Sequence, residues 1–169
     1  MKRLLSTGMM LVVSLAAVSL AACGSSGPTP AELAAQKKAD TYAIEQIEAT
    51  WHKASSTHDV NLMMSIWADD AVATLGGETY TGKAQIRSFF QDKAAPFRPE
   101  NHWVSETPAY KIRVTVNGDK GTLYFECHYV DVNTRKVVAV VSADQDVARI
   151  NGTWLITKLV SATPSLSAY

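Results

Sequence analysis

Two short patterns in the second half of the chain set acid–base groups two residues apart: Glu126-x-His128 and Asp144-x-Asp146. Residues i and i+2 of a strand share a face. On that spacing Glu126 can orient the His128 imidazole as a general base, and two neighbouring carboxylates can drive their pKa values apart and divide acid from base. Such a set would suit a cofactor-independent dehydratase, isomerase or hydrolase. The hydrophobic rows of the same strands oppose a pocket role. Leu123, Phe125, Cys127 and Tyr129 form the more apolar row, which sends Glu126 and His128 to an outer face that meets water or a second subunit. Val141, Ala143 and Val147 claim the inside in the same way, so Asp144 and Asp146 are expected outside. A one-residue bulge would reverse both assignments.

The other reactive residues carry weaker signals. His52 follows Trp51 on a helix and is expected to face water or a strand end; His58 and Asp59 sit at a helix boundary, where capping is the ordinary role. Cys127 stands on an apolar strand row and reads as a small core residue rather than a nucleophile. The chain has no H-x-x-x-H, C-x-x-C or carboxylate-loop spacing, no phosphate-cradling glycine loop and no nucleophile elbow. No metal and no cofactor are therefore expected. With 16 Lys+Arg against 16 Asp+Glu, 19% charged and 47% hydrophobic residues, the chain is neither disordered nor basic enough for a nucleic-acid partner.

The first residues read as an address. Met1-Lys2-Arg3 is followed by an apolar run from Leu4 to Ala22, the charged and hydrophobic regions of a secretory signal. It ends Leu20-Ala21-Ala22-Cys23, which resembles a bacterial lipobox and implies acylation of Cys23. The expected organisation is a lipoprotein signal peptide over 1–22, an acylated Cys and flexible tether over 23–30, and one domain over 31–169. The mature protein would be exported and held at the cell envelope by its N-terminal lipid alone. Without Lys2 and Arg3 the positive count falls from 16 to 14, too few for a polybasic second anchor.

Helices should come first and sheet afterwards. Ile44, Ile47, Trp51 and Ala54 form one apolar stripe from about Pro30 to His58. Asp59 is placed to cap a short second helix carrying Leu62, Met63, Ile66 and Trp67 inward. A strand is expected over Ala71 to Leu75, a turn at Gly76-Gly77, and a third helix after Thr81-Gly82 with Ile86, Phe89 and Phe90 inward. Beyond Pro99 the period changes to two: Tyr110, Ile112, Val114 and Val116; then the row from Leu123; then Val137, Ala139, Val141, Ala143 and Val147; then Trp154, Ile156 and Val160. Asn117-Gly118, Asn133-Thr134 and Asn151-Gly152 mark the turns. This is an α+β plan.

The run from Trp51 through His58-Asp59 to Ile66-Trp67-Ala68-Asp69-Asp70-Ala71-Val72, then Thr81-Gly82-Lys83-Ala84-Gln85-Ile86 and Asn151-Gly152-Thr153-Trp154-Leu155-Ile156, resembles the NTF2-like, or SnoaL-like, superfamily. The resemblance implies a cone-shaped fold, a curved antiparallel sheet wrapped around the N-terminal helices with a pocket at one end. It does not choose a function. The phenolic donor of ketosteroid isomerases would fall at Trp51 and their carboxylate base near Leu75, which cannot take a proton. The resemblance also puts Trp51, Met63, Trp67, Tyr80, Phe90, Trp103 and Tyr110 on elements that line the cone. A cavity so lined would favour a small apolar or aromatic molecule. Three readings follow: a lipid-anchored binding or assembly module, an enzyme using His128 with Asp144 or Asp146, and a structural dimerisation domain. Sheet-to-sheet pairing in the superfamily makes a homodimer the expected state.

Overall fold

The computed structural model describes residues 27–105, 109 and 111–162. Cys23 and Tyr110 lie outside the described residues. Helix α1 (Pro30–Thr57) begins with a capping box: Thr29 Oγ1 accepts from the Glu32 N–H at 3.3 Å, and Glu32 Oε2 accepts from the Thr29 N–H at 2.7 Å. Pro30 fills the first turn, where its missing N–H costs nothing. Residues 30–39 are all exposed; the helix enters the core only at Asp40, and His58 ends it in the left-handed region. Asp59 caps α2 (Val60–Met64) through an acceptor bond from the Leu62 N–H at 2.8 Å.

The second helix is shorter than its apolar spacing suggests. Ser65 turns back on the Leu62 carbonyl, and Trp67 opens strand β1 (Trp67–Leu75) instead of closing the helix. Across the Gly76–Gly77 turn, both residues at positive φ, β2 (Glu78–Thr81) pairs back on β1. It is too short and too exposed to show a hydrophobic period, as is β3 (Trp103–Ser105). Helix α3 (Lys83–Asp92) buries Ile86 and Phe90, and a single 3-10 turn (Ala95–Phe97) follows. The meander β4 (Lys111–Asn117), β5 (Lys120–Asp131), β6 (Lys136–Ile150) and β7 (Thr153–Ala162) follows and ends the described residues.

The seven strands make one curved, unclosed sheet in the order β2-β1-β7-β6-β5-β3, with β4 also pairing on β5. β1 runs parallel to β7, so the sheet is mixed rather than wholly antiparallel. Cys127 pairs with Val141, Phe125 with Ala143 and Leu123 with Gln145, which puts these residues in one inward row. The shift in the β5–β6 ladder comes only between Tyr129 and Val130, past the residues whose direction mattered. On β4 only Val114 and Val116 are half-buried; Ile112 is exposed, because this strand pairs on one side only.

The sheet has two poles. One carries the turns at Asn117–Lys120 and Ile150–Thr153 and receives α1. There Asp40 accepts from Arg149 Nη2 at 2.6 Å, Trp154 Nε1 at 3.3 Å and Gln36 Nε2 at 3.0 Å. Gly121 lets the helix close on the sheet: a Cβ there would stand 2.5 Å from the Thr115 carbonyl and 3.1 Å from Ile44 Cδ1. The opposite pole carries the Gly76–Gly77 turn, β3 and the β5–β6 turn, and it holds the cavity.

Candidate functional site

The cavity has a volume of about 680 Å³. Its floor is aromatic. Trp51 comes from α1, Phe89 and Phe90 from α3, Phe97 from the 3-10 turn, and Trp103 and Tyr129 from the sheet. Each is there for a local reason: Trp51 continues the Ile44–Ile47 stripe, Phe90 lies four residues after Ile86, and Tyr129 ends the inward row of β5. The rings meet edge to face, Trp51 to Phe90 at 5.5 Å and Phe90 to Phe97 at 5.3 Å, while Trp103 and Tyr129 tilt together at 6.4 Å. Tyr129 is fixed by its hydroxyl, which accepts from Trp51 Nε1 at 3.4 Å and donates to Ser55 Oγ at 3.3 Å. Burial pushes its pKa far up, so it stays a phenol.

One side of the rim is polar. Tyr80 donates its O–H to Glu78 Oε2 at 2.8 Å, and Lys93 Nζ donates to the same oxygen at 2.7 Å and to the Tyr80 oxygen at 3.1 Å. The hydrogen bonds from Lys93 and Tyr80 hold the Glu78 carboxyl below its usual range, and those to Glu78 and Tyr80 raise Lys93. Both side chains remain about half in water.

Of the residues named from sequence, Trp51, Tyr80, Phe90 and Trp103 line the cavity. Met63 and Trp67 do not; both are wholly buried behind the wall, with the Trp67 ring 6.2 Å from Trp51. Leu75 does line it, a hydrocarbon where the resemblance would put a base.

The Glu126, His128, Asp144 and Asp146 set is not brought together at the cavity. All four belong to the outward row. Asp144 and Asp146 are exposed, and Asp144 lies opposite Tyr124 while His128 lies opposite Val140. That offset of four residues separates His128 from Asp144 by roughly 13 Å of strand. Glu126 is buried on the outer face, where it accepts from the Tyr124 hydroxyl and from Lys111 Nζ at 3.2 Å. The geometry keeps this set out of the cavity.

His52 departs from its expected place. It is 1% exposed, with Nε2 2.9 Å from Cys127 Sγ and Nδ1 3.2 Å from Glu48 Oε1, which also accepts from the Ala109 N–H at 2.9 Å. The seam looks like a nucleophile with its base and orienting acid, but Cys127 is wholly buried and desolvation pushes its thiol far up. A thiol that keeps its proton and meets no solvent is a packing group. The sequence carried a signal for this seam: Glu48, His52 and Ser55 follow each other at spacings of four and three, alongside the apolar stripe. Gln145 was also legible, as the one polar member of the inward row of β6. It is 1% exposed, and neither its Oε1 nor its Nε2 has a hydrogen-bond partner among the described residues.

No group of three or more His, Cys, Asp or Glu among the described residues is arranged to hold a metal ion. No described helix is long and apolar enough to cross a membrane.

Comparison with known proteins bears on the fold. An NTF2-like protein with a cystatin-like fold from Novosphingobium aromaticivorans superposes with a TM-score of 0.68 at 18% identity, over 83% of this chain and 94% of that one. Hexachlorocyclohexane dehydrochlorinase LinA-type3 from Novosphingobium barchaimii gives 0.64 at 19% identity, over 78% and 91%. A protein of unknown function with a cystatin-like fold from Nostoc punctiforme gives 0.65 at 18%, over 78% and 96%. No curated protein matches the chain significantly. Identities this low speak for the fold alone. The SnoaL-like domain family matches residues 36–160, most of the chain, and the chain belongs to that family.

Proposed function

We propose that this protein is a lipid-anchored envelope module that binds a small apolar or aromatic molecule in its cavity. The observation that carries the reading is the lining. About 680 Å³ is the size of a small-molecule site, and its floor is built from Trp51, Phe89, Phe90, Phe97, Trp103 and Tyr129. Among the described residues no imidazole and no aspartate lines it, and the lining carboxylate is Glu78, at the exposed rim. One structural neighbour is named for hexachlorocyclohexane, a ring of the same apolar character.

The anchor and the cavity fit one arrangement. Helix α1 enters the fold at the pole opposite the cavity, and residues 30–39 extend it by roughly 15 Å of exposed helix. A lipid on Cys23 would hold the domain by that end. The cavity would then lie on the pole turned away from the bilayer and take its ligand from the aqueous side.

Native mass spectrometry of protein purified from its own cells tests both parts. We expect a diacylglyceryl mass on Cys23 and loss of membrane fractionation in Cys23→Ala. We also expect quenching of Trp51 and Trp103 fluorescence on titration with naphthalene, weakened at least tenfold in Trp103→Ala. An unmodified Cys23 overturns the anchor. Absence of saturable quenching overturns the binding reading.

A further inference from the structure

Resting on that binding reading, we propose that the Glu78–Tyr80–Lys93 cluster is a head-group subsite and that the ligand is an aromatic or polycyclic molecule carrying a neutral hydroxyl. The argument is a count of hydrogen-bonding capacity. Lys93 has three N–H donors; one goes to Glu78 and one to the Tyr80 oxygen, so one is left. The Tyr80 hydrogen is spent on Glu78 Oε2, and Glu78 Oε1 accepts no bond among the described residues. The cluster therefore offers one donor and one acceptor on groups 2.7 Å apart, with no net charge. All three side chains line the cavity beside its aromatic wall.

A hydroxyl satisfies both offers through one atom, accepting from Lys93 and donating to Glu78. A carboxylate would use Lys93 but meet the charge of Glu78. An ammonium would use Glu78 but meet Lys93. A bare hydrocarbon would cover the pair and leave it unanswered, which costs free energy without return. The internal pairing is itself a selective device: Glu78 cancels the charge with which Lys93 would otherwise recruit any organic anion.

Three probes with one ring system decide the matter: naphthalene, 2-naphthol and 2-naphthoate, titrated at pH 7 and read by tryptophan quenching. We expect 2-naphthol to bind at least tenfold more tightly than either of the others. In Lys93→Met and in Glu78→Gln that advantage should fall below threefold. Both residues are exposed enough that their variants should fold as the parent does. Equal affinity for naphthalene and 2-naphthol overturns the subsite and leaves apolar binding intact. Tightest binding of 2-naphthoate overturns the choice of hydroxyl, since Lys93 would then be reading charge. Failure of all three to bind overturns the subsite together with the cavity reading beneath it.

Discussion

Gln145 is buried in the inward row of β6, between Leu123 on β5 and Leu159 on β7. Both ends of its carboxamide lack partners among the described residues. Protein data put the cost of an unsatisfied buried amide at about 1–3 kcal/mol. Gln145→Met keeps the unbranched stem and replaces the amide with an adaptable apolar tip. The variant should gain about 1–2 kcal/mol after a small loss for the missing heavy atom. For a domain of this length that corresponds to a rise in Tm of roughly 3–7 °C. Urea unfolding followed by tryptophan fluorescence checks it, with the midpoint rising and the slope m unchanged. Gln145→Glu is the opposing control and should be strongly destabilised at neutral pH, since it buries an unpaired charge. A Gln145→Met variant less stable than the parent by more than about 1 kcal/mol would refute the reasoning, because the carboxamide would then be making bonds worth more than its desolvation.

Gly121→Ala should lose at least about 2 kcal/mol, as overpacking against backbone does, because the new Cβ would sit 2.5 Å from the Thr115 carbonyl; a chemical melt measures it. Cys127 should not react with a disulfide reagent at pH 8 in the native protein and should react fully in urea, given its burial and raised pKa; rapid native labelling would contradict the packing role. Burial pushes the Asp40 carboxyl up, but the bonds from Arg149, Trp154 and Gln36 outweigh it and leave the pKa below the ordinary 3.8. A depressed carboxylate contributes stability that is present above that value and lost as pH falls through the folded pKa. Asp40→Asn should therefore flatten the acid limb of the stability profile while lowering stability at pH 7. Burial raises Glu48 instead, which costs stability as pH rises from about 4.5. Glu48→Gln should thus compare better with the parent at pH 7 than at pH 4, measured by the same melts.

Local rules were enough for much of the scaffold. The i, i+3, i+4 recurrence of Ile44, Ile47, Trp51 and Ala54 set the buried stripe of α1, Asp59 marked its neighbour's cap, and the alternation from Leu123 to Tyr129 fixed which row of β5 turns inward. Those signals are legible because helix and strand periods are properties of adjacent residues. Trp51, Tyr80, Phe90 and Trp103 could likewise be named as lining residues once the superfamily resemblance supplied the cone. What stayed hidden depends on elements distant in sequence. The parallel pairing of β1 on β7 and the pole at which α1 enters are examples. So are the choice of Trp67 as core rather than wall, the meeting of His52 with Cys127 across 75 residues, and the convergence of Glu78, Tyr80 and Lys93. A hydrophobic period reports only that a side chain is covered. Whether it is covered by protein or borders an open cavity is decided by what the rest of the chain brings to its other side.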